Sequence, residues 1–518
     1  MKRRNQPVFW RGEIDTYGTN KMTHMGQIFL INKLFVILQK TVGVLKRFYL
    51  LLAMLFTLGC SQIPVVIDYT SKYWTVMVYA AADCDLESNL LIDVEELKRG
   101  TNNNVNIVVL IDRSEKYSDD ASVFGENFSD TRLYLIISKR AIRLDGKEEF
   151  PEITRNSNYE ANMGDPITLK KFINYCKKQF PADNYALVMG GHGDGARSRS
   201  TTDVSRAISI DENADGYGNS DLLFIGEITD HLTNKESVNL LVLDACLMGT
   251  IEVAYQFRPN INKFGAEFLV ASPPKMWGPG LKYDAIFSRI SESAKAGYYS
   301  SQSLTPLDFG TIIIEEQAKI FEKHSKYDSA LSLFDLSKSV AVKESIDDLS
   351  KSLYLYKNEL EKIRGAYYKS DLIHYFDLYY SSEWLDWPYF DLYDLCSKIA
   401  EYPAFPENVK RKALDAMLDI DEFVVASYAG AYYSGFVGGK NGVSIFFPNG
   451  ALNWKEQYWY NAIRTQGVFG GGEHYGALDW CADGAAAGNN TVENWFELLD
   501  SFFDETNDSS GGVNGYQY

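Results

Sequence analysis

Apolar residues arrive along this chain in short unbroken runs, set between longer stretches where they recur every three or four positions. The runs at 75–80, 106–111, 133–137, 186–189, 240–243 and 268–271 predict strands. The spacing at 87–98 and 167–179 predicts helices between them. Runs that are apolar at successive positions, rather than at alternate ones, predict strands covered on both faces. The fold class expected is therefore α/β, a mostly parallel sheet flanked by helices. Beyond 329–334 the pattern changes. A long charged amphipathic helix is predicted over 340–364, further helices over 390–400 and 407–418, and strands over 423–433 and 443–447. This reads as a C-terminal mixed α+β region that packs on the first. The divisions expected are 1–60, 61–335, 336–505 and a disordered tail over 506–518, rich in Ser, Gly and Asn.

Two of the runs stop abruptly at a reactive side chain. One is Tyr185-Ala186-Leu187-Val188-Met189-Gly190-Gly191-His192-Gly193-Asp194-Gly195. The other is Leu240-Leu241-Val242-Leu243-Asp244-Ala245-Cys246-Leu247-Met248-Gly249. In an α/β sheet the carboxyl ends of strands carry the chemistry. A Cys and a His placed there are the minimum set for nucleophilic catalysis. The thiolate attacks a carbonyl, and the imidazole takes and returns the proton. The backbone N–H groups of Gly193 and Cys246 are the natural donors for an oxyanion. A helix expected over 252–257, starting just after Cys246, would favour the thiolate. Each residue alone has a plainer reading, a buried small hydrophobe or a hydrogen-bonded turn histidine. It is the pair, at two strand ends of one pattern, that favours chemistry.

The His-Gly string and the Asp-Ala-Cys-Leu-Met string resemble the active-site motifs of the clostripain family, cysteine endopeptidases with a caspase-like fold. Residues 74–87 (WTVMVYAAADCDLE) resemble the family's first strand and turn. Gly442-Val443-Ser444-Ile445-Phe446-Phe447-Pro448 resembles its late strand. The likeness runs over most of the chain after Cys60 and is densest over 74–284. It implies His192 as general acid/base and Cys246 as nucleophile. It also implies cleavage after basic residues, with Asp244 as the pocket carboxylate that holds a guanidinium. The alternative for Asp244 is a strand-end residue that only bonds backbone. One departure bears on specificity. Pro273-Pro274-Lys275-Met276-Trp277 stands where the family often carries further acids, and a Lys and a Trp at a pocket rim do not favour a cation. The resemblance further implies activation by a cut between the His and Cys strands. Arg197, Arg199 and Arg206 lie there, and Arg206-Ala207 is the bond expected.

The same segment holds Asp211-Glu212-Asn213-Ala214-Asp215-Gly216, the first half of an EF-hand loop. Position twelve is Leu222 where a glutamate is needed, so calcium on Asp211, Asn213 and Asp215 stands against a solvated polar turn. No cofactor is required by the chemistry, and calcium is the one ion left open.

Composition narrows the partners. A formal charge of −18 argues against nucleic acid, whose phosphates need a Lys/Arg surplus. Lys46-Arg47, a short apolar run over 48–58 and Gly59-Cys60 read as an export signal of the bacterial lipoprotein kind, with Cys60 acylated. Thr57 stands where leucine is usual, and residues 1–45 before a complete signal imply a later translation start, near Val44. Cys84, Cys176, Cys396 and Cys481 have no metal or disulfide spacing and are expected as buried thiols. The expectation is an exported, membrane-anchored, monomeric cysteine endopeptidase acting on protein or peptide. The competing reading is a surface lipoprotein that keeps the fold and binds peptide or glycan without cutting it.

Overall fold

The structure, a computed structural model, describes residues 72–504 apart from 102–104, 157, 197–207, 277–278, 296–303, 324–328, 366–370, 376–388, 448–474 and 482–490. The chain divides into units 1–68 and 69–518, and everything described belongs to the second. The signal segment with Cys60, the Arg206 bond, Trp277 and the tail over 506–518 lie outside the described residues.

In chain order the elements are β1 (Lys72–Ala82), α1 (Glu87–Gly100), β2 (Val105–Arg113), β3 (Thr131–Ile137), β4 (Arg140–Arg143), α2 (Pro166–Gln179) and β5 (Ala182–Gly190). There follow β6 (Ser209–Asp211), β7 (Asp221–Leu223), α3 (Ile225–His231), β8 (Val238–Asp244), α4 (Ile251–Gln256), β9 (Ala266–Ala271), α5 (Tyr283–Lys295), α6 (Pro306–Lys323) and β10 (Ala330–Asp335). The later chain supplies α7 (Ser339–Leu353), α8 (Lys357–Arg364), β11 (Tyr389–Asp391), α9 (Leu392–Glu401), α10 (Glu407–Phe423), β12 (Val424–Ala429), β13 (Ser444–Phe446) and α11 (Trp495–Asp504).

Nine of these strands form one sheet in the order β12-β10-β9-β8-β5-β1-β2-β3-β4. The five central strands, β9 to β2, are mutually parallel, and both flanks are antiparallel. The Val/Ile-rich β2 is buried at every position, as a strand sandwiched between helix layers must be. On one face Val76, Val78 and Ala80 of β1 share a core with Leu90, Leu91, Val94 and Leu97 of α1, with Ile286 and Phe287 of α5 and with Ile312 of α6. Tyr79 points the other way, its ring 6.1 Å from Phe172 of α2. Each aliphatic side chain fully buried here contributes about 1.5–3 kcal/mol.

Helix starts have local causes. Asp165 caps α2 by accepting from Ile167 N at 2.8 Å, with Pro166 at the first helical position. The start of α1 has no side-chain cap; Glu87 is held instead by a fully buried ion pair with Arg113 at 2.6 Å. The helix expected over 340–364 is broken: a 3₁₀ turn at Tyr354–Tyr356 separates α7 from α8. Past the turn Lys357 is buried and donates to Ser501 O at 2.8 Å. The chain after 335 does more than pack on the sheet. Its strand β12 joins the sheet antiparallel to β10, and β11 pairs antiparallel with β13 beside it. The four cysteines expected as buried thiols are buried and free.

Candidate active site

Strands β5 and β8 are parallel neighbours with Gly190 opposite Asp244. His192 and Cys246 each lie two residues further on, so the register brings both to the same edge of the sheet. Their turns touch. A Cβ added to Gly193 would lie 2.4 Å from Cys246 O and 3.0 Å from Cys246 N, which only glycine tolerates. The two backbone groups expected to hold an oxyanion are thus brought together.

Beyond Cys246 the chain turns sharply, with Leu247 at φ 60°, a left-handed conformation costly for a branched side chain. Two hydrogen bonds to the neighbouring loop hold it there: Leu247 N to Pro274 O at 2.9 Å and Gly249 N to Ser272 O at 2.8 Å. The same loop donates Met276 N to Cys246 Sγ at 3.2 Å. Burial pushes the Cys246 thiol up, while the Met276 N–H and the charge of Lys275 pull the other way. This corrects the expectation of a helix-activated thiolate. Helix α4 is short and begins only at Ile251, after its Thr250 cap, four residues too late to lie at the thiol. Lys275, expected at a pocket rim, also acts on the thiol. Its charge favours the thiolate.

His192 Nε2 is 2.6 Å from Asp85 Oδ1, on the turn after β1. No hydrogen bond joins the imidazole to the thiol among the described residues. With Nε2 taken, Nδ1 is the ring nitrogen left without a hydrogen bond among the described residues. Asp85 was missed in the sequence, where its only signal is the acidic pair around Cys84 at the end of an apolar run. Tyr389 was missed too. From β11 its hydroxyl donates to Asp194 O at 3.0 Å and accepts from Ala196 N at 3.1 Å, clamping the loop just after His192.

Asp244 ends β8 and is buried. Its Oδ2 accepts from Tyr283 Oη at 2.7 Å and from Leu281 N at 3.2 Å, and no hydrogen bond among the described residues reaches Oδ1. A second acid, Asp93 of α1, meets it at Gly280. A Cβ there would lie 3.1 Å from Asp93 Oδ1 and 3.2 Å from Asp244 Oδ2. Asp93 Oδ1 is buried without a hydrogen-bond partner. Burial and the Asp244 charge push Asp93 well above the usual carboxylate range, and burial also raises Asp244. Lys282 is bound to Glu96. The pair is therefore a buried acidic site lacking its own counterion among the hydrogen-bonded partners described.

The structure does not bring the three EF-hand-like residues together. Asp211 turns inward, accepting from Met163 N at 2.7 Å and Asn213 N at 3.0 Å. Asp215 faces solvent and is occupied by the turn, accepting from Tyr217 N at 2.9 Å and Asn219 Nδ2 at 2.6 Å. Asn213 Oδ1 closes the same turn onto Gly218 N at 2.6 Å. Tyr375, Tyr389 and Phe390 nearby are buried in the core.

A strand-end cysteine beside a strand-end histidine, with glycine between their backbones, suits acyl transfer to a thiol. The comparisons agree. The sequence profile of the clostripain family matches residues 78–495. Clostripain of Hathewaya histolytica is 48% identical over 473 residues, 86% of this chain and 89% of that protein. The solved structure of a secreted C11 cysteine protease from Bacteroides thetaiotaomicron, in complex with an irreversible peptide inhibitor, shares the fold. It has a TM-score of 0.50 and 17% identity, covering 79% of this chain and 99% of that one. The profile match over residues 78–495 and the near-half identity over most of the chain make it a member of the clostripain family of cysteine peptidases.

Proposed function

We propose that this chain is an exported endopeptidase that cuts peptide bonds after basic residues through Cys246 and His192. His192 takes the Cys246 proton as Sγ bonds to the scissile carbonyl carbon. The carbonyl oxygen gains the charge and is held by the N–H groups of Gly193 and Cys246. His192 returns the proton to the leaving amine, giving a thioester. It then deprotonates a water that attacks the thioester, which releases the acid and restores the thiol. The observation that carries this reading is the β5–β8 register, with Gly193 against the Cys246 backbone.

Basic specificity is supported by Asp244. Tyr283 and Leu281 fix one of its oxygens, and the other is open to a guanidinium or ammonium. Asp93 adds a second like charge at the same place. Activation by a cut after Arg206, export by the segment over 46–60 and acylation at Cys60 belong to the same proposal, as does a monomer. Among the described residues no helix is long and apolar enough to cross a membrane.

The test is a peptide library incubated with the protein, cleavage sites being read by mass spectrometry. Cuts after Arg or Lys that vanish in Cys246→Ala are the expected result. Undiminished cleavage by that variant would refute the nucleophile, and cuts without a basic residue on the acyl side would refute the pocket.

A further inference from the structure

His192 has a second thiol near it, one that the peptidase chemistry does not use. Strand β5 lies between β8 and β1 in the sheet. On the β8 side the register brings up Cys246. On the β1 side Ala80 stands opposite Gly190, so the turn after β1 reaches the imidazole from the other flank. That turn carries Cys84 and Asp85. The Cys84 sulfur, one Asp85 oxygen and one His192 ring nitrogen all lie within 4.8 Å of one another. Cys84 is 1% exposed, whereas the side chains of Asp85 and His192 are 65% and 28% exposed. The thiol is therefore the buried end of the set and the carboxylate its open end.

The donor types choose the ion. A thiolate and an imidazole with one carboxylate suit a borderline-soft metal, and they do not suit magnesium or calcium, which take oxygen. Zinc places such donors about 2.0–2.3 Å from itself, which sets them about 3.3–3.7 Å apart in a tetrahedron. Small side-chain rotations reach that spacing. The Asp85–His192 contact at 2.6 Å opens, and the Cys84 Sγ–H, which donates to Ala81 O at 3.4 Å, gives up its proton. Three protein donors leave the fourth corner of the tetrahedron to water.

We propose that Cys84, Asp85 and His192 bind a zinc ion that switches the enzyme off by occupying its base. On binding, the thiol proton passes to the buffer and the sulfur lone pair to the metal. A neutral imidazole that gives one nitrogen to a metal carries its proton on the other. Whichever nitrogen binds, none is left to accept the proton of Cys246. Inhibition of this kind is reversible and leaves the Cys246 sulfur unmodified. The metal site stands without the peptidase reading; its inhibitory effect rests on that reading.

The binding test uses the full chain as Cys246→Ala, reduced and stripped of metal, so that neither activity nor the nucleophile contributes. Cobalt chloride serves as the spectroscopic stand-in for zinc. A saturable thiolate-to-cobalt charge-transfer absorption is expected, and zinc should displace it. Adding Cys84→Ser should abolish the band. Adding Asp85→Ala, a change at an exposed side chain that leaves the core untouched, should weaken cobalt binding by at least about tenfold. Absence of the band, its survival in Cys84→Ser, or unchanged affinity in Asp85→Ala would each overturn the site. The activity test uses the chain with Cys246 intact and a fluorogenic arginyl peptide. Zinc should stop cleavage and a chelator restore it. Cys84→Ser should keep kcat and need at least about ten times more zinc for half inhibition. Half inhibition of Cys84→Ser at the unchanged zinc concentration would put the inhibiting metal elsewhere and overturn the switch. A chain that shows the band yet cuts no peptide would refute the peptidase reading and uphold the site.

Discussion

Replacing Asp244 by Asn removes one charge and almost no volume. In the native protein Tyr283 Oη and Leu281 N both donate to Oδ2, which forces any replacement amide to turn its carbonyl toward them. The amide nitrogen then occupies the open position of Oδ1 and presents donors to the donors of an arginine side chain. Losing one partner of a desolvated charge pair costs about 2–5 kcal/mol. Asp93 remains at the same place, which puts the loss near the lower end. About 2–3 kcal/mol is ~30–150-fold in kcat/KM. The assay compares two fluorogenic peptides that differ only in arginine or leucine at the cleaved position, and reads the ratio of their kcat/KM values so that effects on the dyad cancel. The ratio carries a second signature. Burial and mutual repulsion hold the Asp93–Asp244 pair above the ordinary carboxylate range, and a cationic side chain selects the ionised pair. The ratio therefore rises with pH through that raised range and then levels. Asp93→Asn, with one like charge removed, moves the rise to lower pH. An equal loss on both peptides, or a ratio flat with pH in the wild type, would refute the pocket role of the pair.

Four further outcomes are expected. Asp85→Asn should lower kcat by about five- to tenfold and leave KM for the same peptide unchanged, since an exposed carboxylate orients the imidazole at a cost near 1 kcal/mol. A matching rise in KM would argue for a substrate contact instead. Gly193→Ala drives a Cβ into the Cys246 carbonyl and should cost kcat about 10²–10³-fold, with Cys246 still alkylated by iodoacetamide. Tyr389→Phe leaves Asp194 O and Ala196 N without the shared hydroxyl and should cost about 1–3 kcal/mol in denaturant unfolding, with kcat falling alongside. Glu252, buried with one oxygen unpartnered, is pushed by burial from 4.5 to about 7. A group raised on folding stabilises fully below its unfolded value and loses that contribution as pH rises through the folded one. Wild-type stability should thus fall between about pH 4.5 and 7 by an amount on the order of 3 kcal/mol, and Glu252→Gln should flatten that fall.

The sheet's centre was legible because parallel strands buried on both faces leave unbroken apolar runs, and β1, β2, β5, β8 and β9 each enclose a predicted run. On its flanks the runs of β3 and β12 were read as strands, but not where they pair. Nothing local in 424–429 says that this strand returns to pair with 330–335, because antiparallel partners nearly a hundred residues apart leave no periodic trace. The shared sheet edge of Cys246 and His192 was legible for the same reason as the strands, since each stands where a run stops. Asp93 had a signal that went unread. It interrupts the buried face Leu90, Leu91, Val94 and Leu97 of an amphipathic helix, where an acid has no packing reason to be. The EF-hand-like string misled because spacing alone cannot say which way a side chain faces. Asp211 belongs to a strand and points into the core, whereas Asp215 belongs to the turn and closes it.

The chain after 335 looked like an appendage, and the structure makes it part of the scaffold of the candidate site. Strands β11 and β13 pair with Tyr389 opposite Phe446. From one strand the Tyr389 hydroxyl holds the loop after His192, and Gly195, at φ 71°, leaves room for it: a Cβ would lie 2.6 Å from that oxygen. From the other, Ser444 N donates to Gly249 O at 2.9 Å and Phe446 N to Glu252 Oε1 at 2.9 Å, which holds the chain after Cys246. One two-stranded element thus holds both turns of the candidate site. Neither turn is regular secondary structure, and Leu247 is strained, so their own backbone bonding cannot fix them. A segment two hundred residues from the thiol must keep its backbone register because the positions of Gly249 and Glu252 depend on it.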